Sequence, residues 1–390
     1  MSFSFGFGGD DIEDDDGNQE AQVAFTGKIS PCTISEKDAS QPQSISPKRH
    51  SFEDLLSSVP SQMSYNTLVI PSYPPTGDSM HQSPSAQQPS TITIQRRSLF
   101  DIRTQLMAEA NPETHDAADT LLSGLENGDL SSGIYEGGFK TWECSLDLAS
   151  LVTSLDFSQN WHIIELGAGS AVPSLSLLIA FLASNDHQGS KRGNLKFTLC
   201  DYNEDVLRLC TAPNVFLNYH HHSRHRHPLQ HLSQMQGSSS SNDHAPDVED
   251  EDEGEIDIEA LGEAFINTTV DDLKSRNLSF DFVSGGWGDA FLELIPGPDT
   301  DASENLLILA SETIYSPSTI KPFTETVVSL LRRYPAGSAK AWVAAKKVYF
   351  GVGGGVDEFL SEATTQQAKS KTLLETKDTG VGRVVLEVTL

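Results

Sequence analysis

Positive charge is scarce in this sequence: 26 Lys and Arg stand against 55 Asp and Glu, a formal net charge of -29. Phosphate backbones are held by neutralisation with Lys and Arg, so nucleic acid is disfavoured as a direct ligand of the free chain and a basic protein partner is favoured. Cysteine is also scarce. Cys32, Cys144, Cys200 and Cys210 form no CxxC pair and no zinc spacing, so reduced thiols are expected, with no metal site. No run of eighteen apolar residues occurs, and MSFSFGFGGDDIEDDD has neither a basic nor a continuous apolar leader region. A soluble intracellular monomer with no membrane contact is expected, in cytoplasm and nucleus.

Large parts of the chain are poor in apolar residues. Residues 1–95 are rich in Ser, Pro, Gln and Asp and are expected to be disordered, since too little surface is available to offset chain entropy. Within them SPKRHSFEDLL, Ser46 to Leu56, joins a small basic patch to a short helix, and fits either a solvated linker or a docking or import motif. A second biased segment, residues 220–259, is His-rich and then acidic, and is expected to be a disordered insertion. Residues 96–390 outside that insertion are expected to form one domain.

There the pattern alternates between strand and helix. WHIIELG, KFTLCDYN, FDFVSGGWGD, NLLILASETIY and KAWVAAKKVYF read as buried strands, with helices such as SAVPSLSLLIAFLAS and PFTETVVSLLRRY between them. KTLLETK and GRVVLEVTL follow as two strands joined by the short turn at DTG. The fold class is therefore α/β, a doubly wound, mainly parallel sheet ending in an antiparallel hairpin.

Open parallel sheets bind ligands at the carboxyl ends of their strands, which makes the strand tips the residues to examine. The first tip carries Glu165 before Gly167-Ala-Gly169, where glycines let backbone amides approach a ligand at a helix N-terminus. Val172 and Pro173 depart from the dinucleotide fingerprint, which disfavours a pyrophosphate cradle and an NAD-dependent oxidoreductase. The second tip offers Asp201 and Asn203, the carboxylate placed to accept ribose hydroxyls. Gly285, Gly286, Trp287 and Asp289 form the third, an aromatic plane with small neighbours suited to an adenine; Ser311, Glu312 and Tyr315 form the fourth.

That ordered set resembles the class I S-adenosylmethionine-dependent methyltransferases. GGFKTWECSLDLASLV (Gly137 to Val152), SETIY and YFGVGGGVDEF (Tyr349 to Phe359) narrow the resemblance to the seven-strand histidine protein methyltransferases, over roughly Ser98 to Leu390. The resemblance implies a Rossmann-like sheet, S-adenosyl-L-methionine as cofactor, and methylation of the tele nitrogen of a histidine in a large-subunit ribosomal protein, L-three. It assigns Gly167 and Gly169 to the methionine part of the cofactor, Glu165 to its amino group or to the loop that holds it, and Asp201 to the ribose, with Asn203 and Ser311 beside them. Gly286 and Trp287 flank the adenine, although relatives often carry an acidic residue where this chain has Gly286. Trp142 closes the pocket. Glu312, with Tyr315, is the catalytic candidate, either contacting the cofactor amino group or orienting the imidazole. The triple glycine stays open between a turn needing positive φ at successive residues and a flexible wall of the histidine pocket, with Tyr349, Phe350, Gly353 and Gly354 on the substrate side. A lysine methyltransferase of the same class and a non-catalytic acidic binder of a basic ribosomal protein are the alternatives.

Overall fold

The computed structural model describes residues 45–72, 90–110, 121–122, 124, 137–184, 192–226, 253–262, 264–299, 303–349, 353–376 and 381–390. Its first elements overturn the expected disorder up to residue 95. Strand β1 (Lys48–His50), helix α1 (Phe52–Leu56), strands β2 (Gln62–Ser72) and β3 (Ser90–Arg97) and helix α2 (Leu99–Glu109) are all formed. The apolar residues here are few but they point inward: Phe52, Leu55, Leu56, Met63, Ile70 and Ile94 are buried. Ser51 caps α1 by accepting the Asp54 amide at 3.0 Å. Mean composition hid this placement, because a low apolar fraction still builds a layer when most of the larger apolar side chains face inward, here with Ile45 and Val69 left exposed. Residues 1–44 lie outside the described residues.

Helix α3 (Glu143–Val152) leads into β4 (Asn160–Leu166), α4 (Val172–Ala183) and β5 (Leu195–Asp201). Helix α5 begins at Glu204–Val206, widens into a π-helical turn over Leu207–Thr211 and continues through Ala212–Arg226. Next come β6 (Glu253–Asp257), α6 (Phe265–Ser275), β7 (Leu278–Ser284), α7 (Asp289–Leu294), β8 (Glu304–Ser311), α8 (Pro317–Leu331), β9 (Ala339–Lys346), α9 (Val356–Thr365), β10 (Lys369–Thr376) and β11 (Arg383–Thr389).

The main sheet runs β1-β7-β5-β4-β8-β9-β11-β10. Its five central strands are parallel and the β10–β11 pair is antiparallel, as the alternation implies. Strand β1 adds an antiparallel edge at the far side, with Lys48 opposite Ser284. Both faces of the parallel strands are apolar because both are covered. Ile163, Phe197, Leu199, Leu307 and Leu309 pack with α3, α4 and α5; Ile164, Leu166, Ile308, Ala310 and Val343 pack with α8 and α9.

A second sheet, β3-β2-β6, lies against α3, α4 and α5. Strand β6 and the end of α5 correct the expected insertion over 220–259, which is structured at both margins. In β6 a single inward residue, Ile256, is buried while Glu253, Glu255 and Asp257 are exposed, so the strand is hidden inside an acidic run. Helix α5 takes the place of a further strand beside β3. Asn218 accepts the Gln95 amide at 3.0 Å and donates to the Gln95 carbonyl at 2.6 Å, while Asn214 accepts the Arg97 amide at 2.7 Å.

Candidate active site

The turn after β4 is held from several sides. Ala171, the N-cap of α4, sits at φ 57 and offers no capping side chain, and the Glu165 carboxylate substitutes by accepting the Ser174 amide at 3.1 Å. Burial pushes Glu165 up to about 8, against the opposing hydrogen bonds from Ser174 and with a small upward push from Asp201. Glu165 thus organises the loop, one of the two roles expected of it. Gly169 (φ +51) donates its amide to Asp201 at 3.0 Å, and a Cβ at this position would sit 2.9 Å from the Gly138 carbonyl oxygen. The GGFKTWE segment therefore passes directly over the loop, and Thr141 and Ser170 hydroxyls meet at 2.9 Å.

Two residues that the sequence did not single out complete this grip. The Thr211 hydroxyl donates to the Gly169 carbonyl at 2.6 Å, and the Asn214 amide donates to the Ser170 carbonyl at 3.0 Å. Thr211 lies in the π-helical turn, a distortion frequent at functional sites. Their only signal in sequence is polarity within an otherwise apolar stretch of helix. Asp201 also accepts the Asn203 amide at 3.1 Å.

At the β7 tip Gly285 donates to the Asp201 carbonyl at 3.0 Å, which brings the second and third tips together. A Cβ on Gly285 would meet Pro47 at 2.5 Å, and Gly286 donates its amide to the Ile45 carbonyl at 3.0 Å. SPKRHSFEDLL is thus neither linker nor free motif but part of this edge. Trp287 is half-buried, its ring 5.1 Å from that of Phe323 on α8. One face of the expected aromatic plane is committed to core packing.

The fourth tip and the triple-glycine segment form one cluster. Glu312 adopts φ +56, a region costly for a residue with a Cβ, and donates its amide to the Ala344 carbonyl at 2.9 Å. The Tyr349 hydroxyl donates to Glu312 Oε2 at 2.5 Å and accepts the Lys346 amide at 3.2 Å. Burial and the Glu312 carboxylate push the Tyr349 hydroxyl far up. Lys346 Nζ lies 3.0 Å from Glu143 and 3.7 Å from Glu312 Oε1. Burial pulls Lys346 down, but these carboxylates outweigh it and hold the ammonium above its ordinary value. The same ammonium sits 5.3 Å from the Trp142 ring, with Lys140 at 5.1 Å. The Cys144 thiol of α3, pushed up by burial and then by Glu312, completes the surround.

Half-buried Ser311 and Tyr315 flank Glu312. Among the described glycines of YFGVGGG, only Gly353 has a left-handed φ, +88. Gly354 is needed for a different reason: its Cβ would fall 2.4 Å from the Tyr315 carbonyl oxygen, and its amide donates to that oxygen at 3.0 Å. Phe350 lies outside the described residues.

Buried Asn203 Nδ2, Glu312 Oε1 and Thr313 Oγ1 make no hydrogen bond. These polar atoms at the β5 and β8 tips match a ligand rich in hydroxyl and amino groups, and S-adenosylmethionine fits that description.

No family model matches the sequence. Histidine protein methyltransferase 1 of Saccharomyces cerevisiae is 32% identical over 376 residues, covering 92% of this chain and 89% of that protein. The Schizosaccharomyces pombe protein of the same name is 32% identical over 298 residues, covering 75% of this chain and 76% of its own. Among solved structures, a ribosomal protein L11 methylase from Lactobacillus delbrueckii subsp. bulgaricus covers 64% of this chain and 81% of its own at 8% identity, with a TM-score of 0.31, too slight a likeness to argue from. Identity of 32% to both proteins, sustained along 92% of the chain for the first and 75% for the second, means that the chain belongs to the histidine protein methyltransferase 1 family.

Proposed function

We propose that the carboxyl edge of the main sheet holds S-adenosylmethionine and that the chain methylates the tele nitrogen (Nε2) of a histidine in a basic protein, the large-subunit ribosomal protein L-three. As a member of its family the chain is a protein methyltransferase that uses S-adenosylmethionine. The cofactor supplies an electrophilic methyl group on a sulfonium. The chain supplies position, which dominates an in-line transfer.

Gly167 and Gly169 cradle the methionine part. Asp201, whose carboxylate accepts the Gly169 and Asn203 amides, faces the ribose hydroxyls beside the unpaired side-chain amide of Asn203. Gly286 and the free side of Trp287 flank the adenine, Ser311 lines the edge, and Trp142 covers the pocket from the α3 side. A histidine side chain is largely neutral at cellular pH and needs no strong base before attack. It does need its proton on Nδ1, and Glu312 is the acceptor that holds it there, with Tyr315 and Gly353–Gly354 as neighbouring wall.

The observation that carries this reading is the Tyr349–Glu312 hydrogen bond at 2.5 Å, which joins SETIY and YFGVGGG in one site. The net charge of -29 favours encounter with a basic protein. We place the working form as a monomer in cytoplasm and nucleus, without direct nucleic-acid binding. Incubation with labelled S-adenosylmethionine and a ribosomal protein fraction, followed by amino-acid analysis, tests the reading. Label in tele-methylhistidine of one basic protein is expected; label in methyllysine alone overturns it.

A further inference from the structure

We infer that Tyr349 and Lys346 are positioning residues that act through Glu312, leaving only Oε1 to accept the Nδ1 proton of the substrate imidazole and so directing methylation to histidine Nε2. This deepens the proposed function and rests on it.

The geometry divides the two carboxylate oxygens. Oε2 is taken by the Tyr349 hydroxyl, and that hydroxyl is itself fixed because it accepts the Lys346 amide. Oε1 is buried and makes no hydrogen bond, in a side chain only 10% exposed. An unpaired buried acceptor is costly, and such an atom marks a position completed by a ligand. Lys346 balances the charge without filling the vacancy: its ammonium is 3.7 Å from Oε1, beyond hydrogen-bond reach, and is committed to Glu143 at 3.0 Å. The left-handed backbone of Glu312 fixes the carboxylate from the main-chain side as well.

An imidazole that donates Nδ1–H to Oε1 is held in the tautomer whose lone pair lies on Nε2. That lone pair forms the new N–C bond while the S–C bonding pair returns to sulfur. The positive charge passes to the ring, beside Glu312, and the Nδ1 proton is then released to water. The same carboxylate selects against lysine. A lysine amine beside Oε1 is stabilised as its ammonium, which has no lone pair to attack with.

The test compares wild type with Tyr349→Phe, Lys346→Met and Lys346→Arg, using labelled S-adenosylmethionine and a ribosomal protein fraction. Products are separated into tele- and pros-methylhistidine and methyllysine, and S-adenosylmethionine affinity is measured by calorimetry. Tyr349→Phe is expected to lower kcat on the order of 100-fold and to yield pros-methylhistidine alongside the tele isomer. Cofactor affinity is expected to stay within about twofold, the signature of an interaction made in the transition state. Lys346→Met keeps the main-chain amide that fixes Tyr349 and removes only the charge beside Oε1, so it should lower kcat with the tele isomer retained, and Lys346→Arg should restore kcat. Two results overturn the inference: exclusive tele product at undiminished kcat in Tyr349→Phe, or loss of activity that follows lost cofactor affinity in both Tyr349→Phe and Lys346→Met. Should Tyr349→Phe not fold, the Lys346 pair decides alone. Wild-type product restricted to methyllysine would instead overturn the underlying function.

Discussion

The Asp201 carboxylate accepts the amide of Gly169 at 3.0 Å, so the tip of one parallel strand holds the turn that follows its neighbour. Asp201 accepts the Asn203 amide as well. Asp201→Ala leaves both buried donors unpaired and is expected to lower stability by about 3 kcal/mol. Asp201→Asn, which keeps one acceptor oxygen, should fall between that variant and wild type. Denaturant midpoints rank the three; cofactor affinity should fall more than about tenfold in the alanine variant.

Gly169 and Gly262 separate backbone strain from close approach. Both have left-handed φ, but a Cβ at Gly262 would meet nothing within 4 Å, whereas one at Gly169 would press on the Gly138 carbonyl at 2.9 Å. Gly262→Ala is expected to cost about 1 kcal/mol and leave cofactor affinity alone. Gly169→Ala should cost more and weaken cofactor binding. Equal behaviour of the two in paired denaturation and calorimetry would place the cofactor loop elsewhere.

Phe52 tests whether the amino-terminal elements belong to the fold. Its ring lies 5.5 Å from Phe282 and 5.9 Å from Phe280 on β7. Phe52→Ala is expected to lower unfolding free energy by about 3–5 kcal/mol. An unchanged denaturant midpoint would mean that α1 is not part of the cooperative unit.

His162 sets a pH dependence. Its ring nitrogens meet the Tyr334 hydroxyl at 2.7 Å and the Thr198 hydroxyl at 2.8 Å, and burial pushes it down to about 3. Above pH 6.5 the ring is neutral in both folded and unfolded chains and contributes no slope. Below that the unfolded chain binds a proton that the folded chain does not. Stability should therefore fall by about 1.4 kcal/mol per pH unit from this residue between roughly pH 6.5 and 3. His162→Gln should flatten that part of a stability-against-pH curve, and an unaltered slope would contradict the assignment.

The parallel sheet was legible because its strands are apolar on both faces and end in polar tips, a pattern that Ile163 and Ile164 show in adjacent positions. Elements with a single covered face were not. Strand β6 carries one buried apolar side chain, Ile256, inside an acidic run, and α1 hides Phe52, Leu55 and Leu56 among Ser and Pro. At the site, Glu165, the two glycines and Asp201 stood out because strand tips follow from the alternation. Thr211 and Asn214 did not, since a hydroxyl and an amide inside a helix look the same whether they face solvent or a loop carbonyl. Nor does sequence separation disclose that Tyr349 and Glu312, 37 positions apart, are hydrogen-bonded.

Two of the amino-terminal β pairings reach across half of the chain or more: Gln62 lies opposite Asp257 in the small sheet, and Lys48 opposite Ser284 at the edge of the large one. A ribosome delivers the chain from its amino end, so β1 and β2 emerge long before the strands that complete them. Contacts this distant in sequence close late, after the loops between them have been ordered. The strap over the third strand tip is thus among the last parts to settle, and a chain interrupted before Ser284 leaves that edge open.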